Sequence, residues 1–260
     1  MFRTMFFLGV FLAAPAFAVD ADAEAFLQKL WRRYKTAPAL AIVINEKETN
    51  GSGATIAVSR KTVVCSERGH TRILSPNLTW AHVSGQTFGD CRDFPGTYIA
   101  VLTGAAGSAS MKAMESMFFS DTIPFDARLR LAASWEEAFE HVLKAVGEDG
   151  TMTIEEGEWG DGAAATLLRA KAADGSYEGV FFIDKATGLL RGRVEQFGMG
   201  ASARVKGSVS EPEIRARLGQ ELHFATAGRT KFPSFKAIQE DFDKRYQMPT
   251  TAIFSATSSP

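Results

Sequence analysis

Between Thr151 and Ser208 the chain runs through five β-rich stretches joined by connections of only a few residues: Thr151–Trp159, Ala164–Ala172, Tyr177–Asp184, Leu189–Phe197 and Ala201–Ser208. Three of the connections are turn clusters, Gly160-Asp161-Gly162, Ala173-Asp174-Gly175 and Lys185-Ala186-Thr187-Gly188. Links this short can join only antiparallel neighbours, because a parallel pair needs a crossover of a dozen residues or more. This half of the chain is therefore expected to be an antiparallel meander. Its firmest hairpin is Phe181-Phe182-Ile183-Asp184, turn, Leu189-Leu190.

A second set of strand signals lies upstream. Leu40, Ile42 and Ile44 alternate with smaller partners before the turn cluster Asn50-Gly51-Ser52-Gly53. Thr55–Val58, Lys61–Cys65, Thr71–Leu74 and Leu78–Val83 follow, punctuated by Ser75-Pro76-Asn77 and Ser84-Gly85. A helix over Asp22–Lys35 precedes them. Its apolar face is Phe26, Leu27, Leu30, Trp31 and Tyr34, its last turn is basic, and Pro38 prevents continuation.

Between the two strand blocks the period changes. After the small-residue loop Gly104–Gly107, Met111, Met114, Met117 and Phe118 recur at helical spacing. Ser134 and Glu137 form a capping box ahead of Trp135, Phe139, Val142, Leu143 and Val146, with Gly147 as the stop. Leu222–Ala225 reads as a last strand, and Phe235, Ile238, Phe242 and Tyr246 as one face of a helix opened by Ser234. Runs of strands around a helical insert define an α+β fold with an antiparallel sheet, one face of which the helices must cover.

The first residues read as an export signal. Met1-Phe2-Arg3 is positive, Phe6–Pro15 is apolar and uncharged, and Ala16-Phe17-Ala18 is a cleavage pattern. The expected layout is a signal peptide over 1–18 cut after Ala18, a main domain over 19–228, and a C-terminal helix with a disordered tail over 229–260. The expected location is periplasmic or secreted. No later stretch has the ~20 apolar residues of a membrane-spanning helix, so no transmembrane span is expected in the mature chain. A formal net charge of -1 argues against nucleic acid as a partner. Cys65 and Cys91 are compatible with one disulfide in an oxidising compartment, or with two buried free thiols. Asn50-Gly51-Ser52 and Asn77-Leu78-Thr79 are acceptor sequons, relevant only in a host that glycosylates.

The order of elements resembles the outer-membrane lipoprotein carrier family and its relatives. The matching pieces are Phe26-Leu27-Gln28-Lys29-Leu30, the strand from Leu40, the segment ending Val58-Ser59-Arg60, Thr79-Trp80-Ala81-His82-Val83, and the hairpin from Phe182 to Leu189. The resemblance implies an antiparallel, incompletely closed β-barrel or strongly curved sheet, with inserted helices as a lid over an apolar cavity. It also implies an apolar small molecule or an acylated protein as the partner.

The side chains that suit such a cavity are Met111, Met114, Met117, Phe118, Trp135 and Phe139 from the helices, and Ile42 and Trp80 from the strands. Thioethers are flexible and polarizable and repack around varied ligands, although a Met stripe is equally the pattern of an ordinary core. Catalytic residues are not expected. His70, His82, His141 and His223 lie outside any hydrolase motif, His82 pointing inward beside Trp80 and His141 pairing with Glu137 on a helix surface. Glu155, Glu156, Glu158 and Asp161 read as a solvated face and turn. Neither the thiols nor the carboxylates have metal-ligand spacing, and Gly104–Gly107 lacks the Gly-Lys-Ser/Thr ending of a phosphate loop, so no metal or cofactor is expected. The expected function is non-enzymatic binding of a lipid, acyl chain or other apolar group, as carrier or sensor. The alternative is a cell-envelope interaction module with an envelope protein as partner, and a hydrolase is the remote third.

Overall fold

The computed structural model describes residues 20–119, 123–198 and 203–246. The expected signal peptide and the tail after 246 lie outside the described residues. Helix α1 (Ala21–Thr36) starts where the Asp20 carboxylate accepts from the Asp22 N–H, with Asp22 and Glu24 in the first turn and Arg33 and Lys35 in the last, as the helix dipole favours. Its stripe of Ala23, Leu27, Leu30 and Tyr34 is buried.

Six strands follow: β1 (Ala39–Asn50), β2 (Thr55–Glu67), β3 (His70–Leu74), β4 (Leu78–Val83), β5 (Gln86–Cys91) and β6 (Thr97–Leu102). The helical insert comprises α2 (Ser108–Ser116) with a 3-10 turn over Met117–Phe119, α3 (Phe125–Leu131), α4 (Trp135–Ala138) and α5 (Glu140–Val146). The second block is β7 (Thr151–Glu158), β8 (Ala164–Lys171), β9 (Tyr177–Asp184), β10 (Leu190–Phe197) and β11 (Arg204–Arg215). Strand β12 (Thr230–Phe232) and helix α6 (Phe235–Tyr246) end the described chain.

All twelve strands form one open, curved sheet in the order β12-β6-β5-β4-β3-β2-β1-β11-β10-β9-β8-β7. Two hairpin stacks are fused at the centre by β1 and β11, which pair antiparallel from Ala39↔Arg215 to Asn50↔Arg204. Helices α1 to α5 cover the inner face, and a single large core lies between them and the sheet. The α+β antiparallel fold is as the sequence predicts.

After β11 the chain crosses the outer face of the first block as a strap over 216–229. Leu218 and Leu222 pack on Ala39 and Cys65. Phe224 stacks on Phe88 at 4.9 Å. The Arg229 guanidinium donates to Asp90 at 2.6 Å and lies 5.0 Å from the Phe224 ring centre. Strand β12 then adds parallel to β6, and α6 returns to the inner face, where Ile238 is buried in the core.

Several local expectations change. Thr55–Val58 and Lys61–Cys65 are one strand, whose pairing with β1 shifts register between Glu46 and Thr49. Strands β5 and β6 and helix α3 are elements the sequence reading did not mark. Leu222–Ala225 is not a strand: Leu222 and Phe224 are alternately buried, but this backbone crosses the sheet instead of lying beside a partner, so it forms no ladder. Cys65 and Cys91 are free. Cys65 pairs with Ala41 and Arg72 and packs on the outer face with Leu218, whereas Cys91 pairs with Leu78 on the inner face. Two strands separate them, about 14 Å at the usual interstrand spacing, beyond the reach of a disulfide. Burial pushes both thiols up, which makes them poor nucleophiles.

Candidate ligand site between sheet and helices

Seven of the eight predicted contact residues are buried in the one core: Met111, Met114, Met117, Trp135, Phe139, Ile42 and Trp80. The eighth, Phe118, is half-buried and packs against that core. All eight thus belong to, or pack against, one apolar core. Gly89 on β5 makes the closest approach possible. A Cβ there would stand 2.7 Å from the Met117 Sδ and 3.1 Å from the Phe118 ring, so the missing side chain is the seat of the 3-10 turn. Trp80 is the cross-strand partner of Gly89. Phe118 holds a left-handed backbone, φ 56°, and its ring meets Phe235 of α6 edge-on at 5.5 Å. Phe94 is bracketed by Phe235 and Phe242 at 5.8 and 5.4 Å, so α6 closes this border of the core.

The helices are held in two different ways. Helix α3 is pinned by buried polar ties. The Tyr34 hydroxyl donates to Asp126 Oδ1 at 2.6 Å and accepts from the Leu190 N–H at 3.2 Å, while Ser210 donates to Asp126 Oδ2 at 3.1 Å. Arg130 caps the end of α1 by donating to the carbonyls of Tyr34 and Lys35, and it reaches Ser66 on β2 at 3.3 Å. Lys35 in return donates to the Arg130 carbonyl at 3.1 Å. Among the described residues the long-range polar ties of helix α2 run to other helices, Ser108 and Lys112 to Glu137 and Glu115 to Arg128. Among the described residues no hydrogen bond or ion pair joins α2 to a strand, and its seat on the sheet is apolar.

The sequence reading missed the polar ties because each joins residues far apart in the chain. The Ser134 cap is as expected, its hydroxyl accepting from the Glu137 N–H at 3.3 Å. The Glu137 carboxylate takes Ala133 N–H and Ser108 Oγ instead of completing the box. The chain also breaks from helical geometry at Phe139, between α4 and α5. His141 consequently does not pair with Glu137. It lies against Phe125, with Nε2 3.9 Å from Glu195 Oε1.

Burial, followed by repulsion from Arg193, Arg128 and Lys206, lowers the His141 imidazole to about 3. The sign of the linkage follows. The folded state binds fewer protons than the unfolded state between the ordinary imidazole value of about 6.5 and about 3, so stability falls as pH drops through that window. His141→Gln is expected to flatten the acid limb of a stability–pH profile measured by urea unfolding, with little change above pH 7.

Other candidates resolve into structural roles. Glu155 pairs with Arg169 and Glu156 with Lys185, exposed ion pairs on opposite faces of β7, and Asp161 caps its turn through the Ala163 N–H. Among the described residues no three His, Cys, Asp or Glu side chains are grouped to hold a metal. Two open grooves lie on the outer face. One of about 480 Å³ spans β1, β2 and β11, and one of about 690 Å³ flanks the strap beside His70 and His223. In the interior, the indole N–H groups of Trp80 and Trp135 and the Nε2 of His82 are buried without a protein partner.

An open antiparallel sheet with helices packed into its inner face is thus the class of fold. No family profile and no curated protein sequence matches the chain. Solved structures do. The chain is similar to an uncharacterized conserved protein from Thermus thermophilus, at 8% identity and TM-score 0.47, over 82% of this chain and 99% of that one. It is similar to MucB in the MucA/MucB complex of Pseudomonas aeruginosa, at 14% identity and TM-score 0.38, over 81% of this chain and 63% of that one. It is also similar to a LolA superfamily protein from Nitrosomonas europaea, at 6% identity and TM-score 0.33, over 78% and 97%. Among the described residues no helix is long and apolar enough to cross a membrane.

Proposed function

We propose that this chain is an exported, non-enzymatic binding protein that takes up an apolar group, an acyl chain or lipid, between α2 and strands β4 and β5. The observation that carries this reading is the contrast in attachment. Helix α3 is tied to α1 and the sheet by buried hydrogen bonds, whereas α2 rests on the sheet through apolar contacts, with Met117 seated over Gly89. Apolar contacts are non-directional and can be exchanged for those of a ligand without leaving a polar group unpaired. The methionines supply walls that change shape, and burial of the ligand at ~25 cal/mol per Å² supplies the driving force. The core is filled by the chain's own side chains, so uptake requires α2 to lift while α3 stays in place.

Native mass spectrometry and solvent extraction after mild purification test this reading, together with titration by the apolar fluorophore N-phenyl-1-naphthylamine. A co-purified amphiphile, or saturable fluorophore binding that acyl lipids displace, is the expected result. Protein without amphiphile that binds no fluorophore would overturn it.

A second reading, an envelope interaction module, draws on a different face. The strap leaves the outer side of β10 and β11 uncovered, where Val194 and Val209 are each 41% exposed. Chemical crosslinking in the envelope fraction, lost on Val194→Lys with Val209→Lys, would favour this alternative.

A further inference from the structure

Strand β4 carries two orphaned polar atoms on one face. Trp80 and His82 are i and i+2, so their side chains emerge on the same side of the sheet about 7 Å apart. They are 1% and 0% exposed, and neither the Trp80 Nε1 nor the His82 Nε2 has a protein partner. A buried donor left unpaired costs about 1–3 kcal/mol, and native interiors hold few of them. These two share one face of β4, and Trp80 lies directly across from Gly89, the seat of Met117.

The other ring nitrogen of His82 is accounted for. His82 Nδ1 lies 3.2 Å from the Thr87 hydroxyl and 3.4 Å from that of Thr103, and these hydroxyls are 2.8 Å apart. We assign the ring proton to Nε2, with a threonine hydroxyl donating to Nδ1, which makes this buried imidazole a donor. Burial and the neighbouring His70 hold the ring below its ordinary pKa, which keeps it neutral at pH 7. The Trp80 indole is donor-only.

We infer that Trp80 and His82 form a polar subsite for the carbonyl oxygens of an uncharged acyl ester or amide, whose hydrocarbon chain lies under Met117 and beside Gly89. This rests on the reading that an acyl group enters beneath α2, and it adds which end of the ligand is recognised and by what. Neutral donors suit an uncharged carbonyl, because a carboxylate buried against them would lack a counter-charge. Hydrocarbon alone would leave both donors unpaired.

Displacement of N-phenyl-1-naphthylamine by methyl laurate, dodecane and laurate tests the inference. Wild-type protein is expected to bind methyl laurate about tenfold more tightly than dodecane, the combined effect of two neutral hydrogen bonds of ordinary net strength. Laurate at pH 8 is expected to bind more weakly than the ester. Trp80→Phe with His82→Phe is expected to erase the ester preference, so that methyl laurate and dodecane bind alike, with thermal melting as the check on folding. A second readout needs no variant: the ester should shift the Trp80 indole and His82 ring resonances in nitrogen-15 NMR, and dodecane should not shift them in the same way. Equal affinity for ester and dodecane, or an ester that binds without moving those resonances, would overturn the subsite while leaving apolar binding intact. Failure of all three ligands and of the fluorophore would overturn the binding reading itself, and the subsite with it.

Discussion

Arg193→Met is expected to lower the free energy of unfolding by about 3–5 kcal/mol, the usual consequence of removing one partner from a buried ion pair. Arg193 lies on the inner face of β10 with its side chain 8% exposed. Its guanidinium donates to Ser208 Oγ at 3.0 Å, to Glu46 Oε1 at 3.1 Å and to Glu195 Oε2 at 3.0 Å, and it sits over the Phe125 ring. Glu195 is 2% exposed and also accepts from the Tyr177 hydroxyl at 2.9 Å. Without Arg193 the Glu195 carboxylate keeps one neutral donor and loses its counter-charge in a site closed to water. Glu195→Gln in the same chain should recover much of the loss, because the stranded charge is removed as well. Arg191→Met is the surface control. Its ion pair with Asp184 at 3.2 Å is half-exposed on the arginine side, and its loss should cost under about 1 kcal/mol. Urea unfolding of these variants reads all of these values. A loss at Arg193 no larger than that at Arg191 would show that the cluster is not a closed ion site.

Tyr34→Phe is expected to cost about 2–4 kcal/mol, since one hydroxyl serves two buried partners and its removal strands both, one of them a carboxyl group. The Asp126 carboxyl would lose its 2.6 Å donor and the Leu190 N–H its 3.2 Å acceptor. Burial already pushes the Asp126 carboxyl up, so it is a group with little tolerance for a missing donor. Ser210→Ala removes only one of the two donors to Asp126 and should cost about 1 kcal/mol. The same measurement bears on the ligand site. Tyr34 ties α1, α3 and β10 together, while among the described residues no such tie joins α2 to the sheet. Loosening α3 should therefore lower stability without raising fluorophore affinity. Enhanced binding in Tyr34→Phe would place the moving element at α3 instead of α2.

The elements legible in sequence were those whose signal is local. The meander from Thr151 to Phe197 emerged with boundaries nearly as read, because alternation and Gly-containing turns act within a few residues. Helix α1 is legible through its apolar stripe, its basic last turn and Pro38. Met111 and Met114 are legible as one helical face, whereas extended backbone at Met117 ends α2, and Ile42 and Trp80 join that core only through the sheet. Strand β5 is faint in the sequence because Gly89 and Asp90 are weak strand formers, and its place in the ladder is fixed by Trp80↔Gly89 and Phe88↔Ala100 pairing. His141 was assigned to Glu137 on helical spacing that the kink at Phe139 removes.

The amino-acid sequence by itself determined the antiparallel character of both strand blocks, the helical insert between them and the apolar identity of the surfaces that must meet. Periodicity and turn chemistry encode these within a span of a few residues. Only the tertiary structure decided that β1 and β11 fuse the blocks into one open sheet and that Cys65 and Cys91 face opposite sides of it. It alone decided that Tyr34, Asp126 and Ser210 converge on α3, and that the Trp80 and His82 ring nitrogens are buried on one face of β4. Each of those outcomes joins positions tens of residues or more apart, or turns on what another element leaves uncovered. Neither is written in the local pattern of the chain.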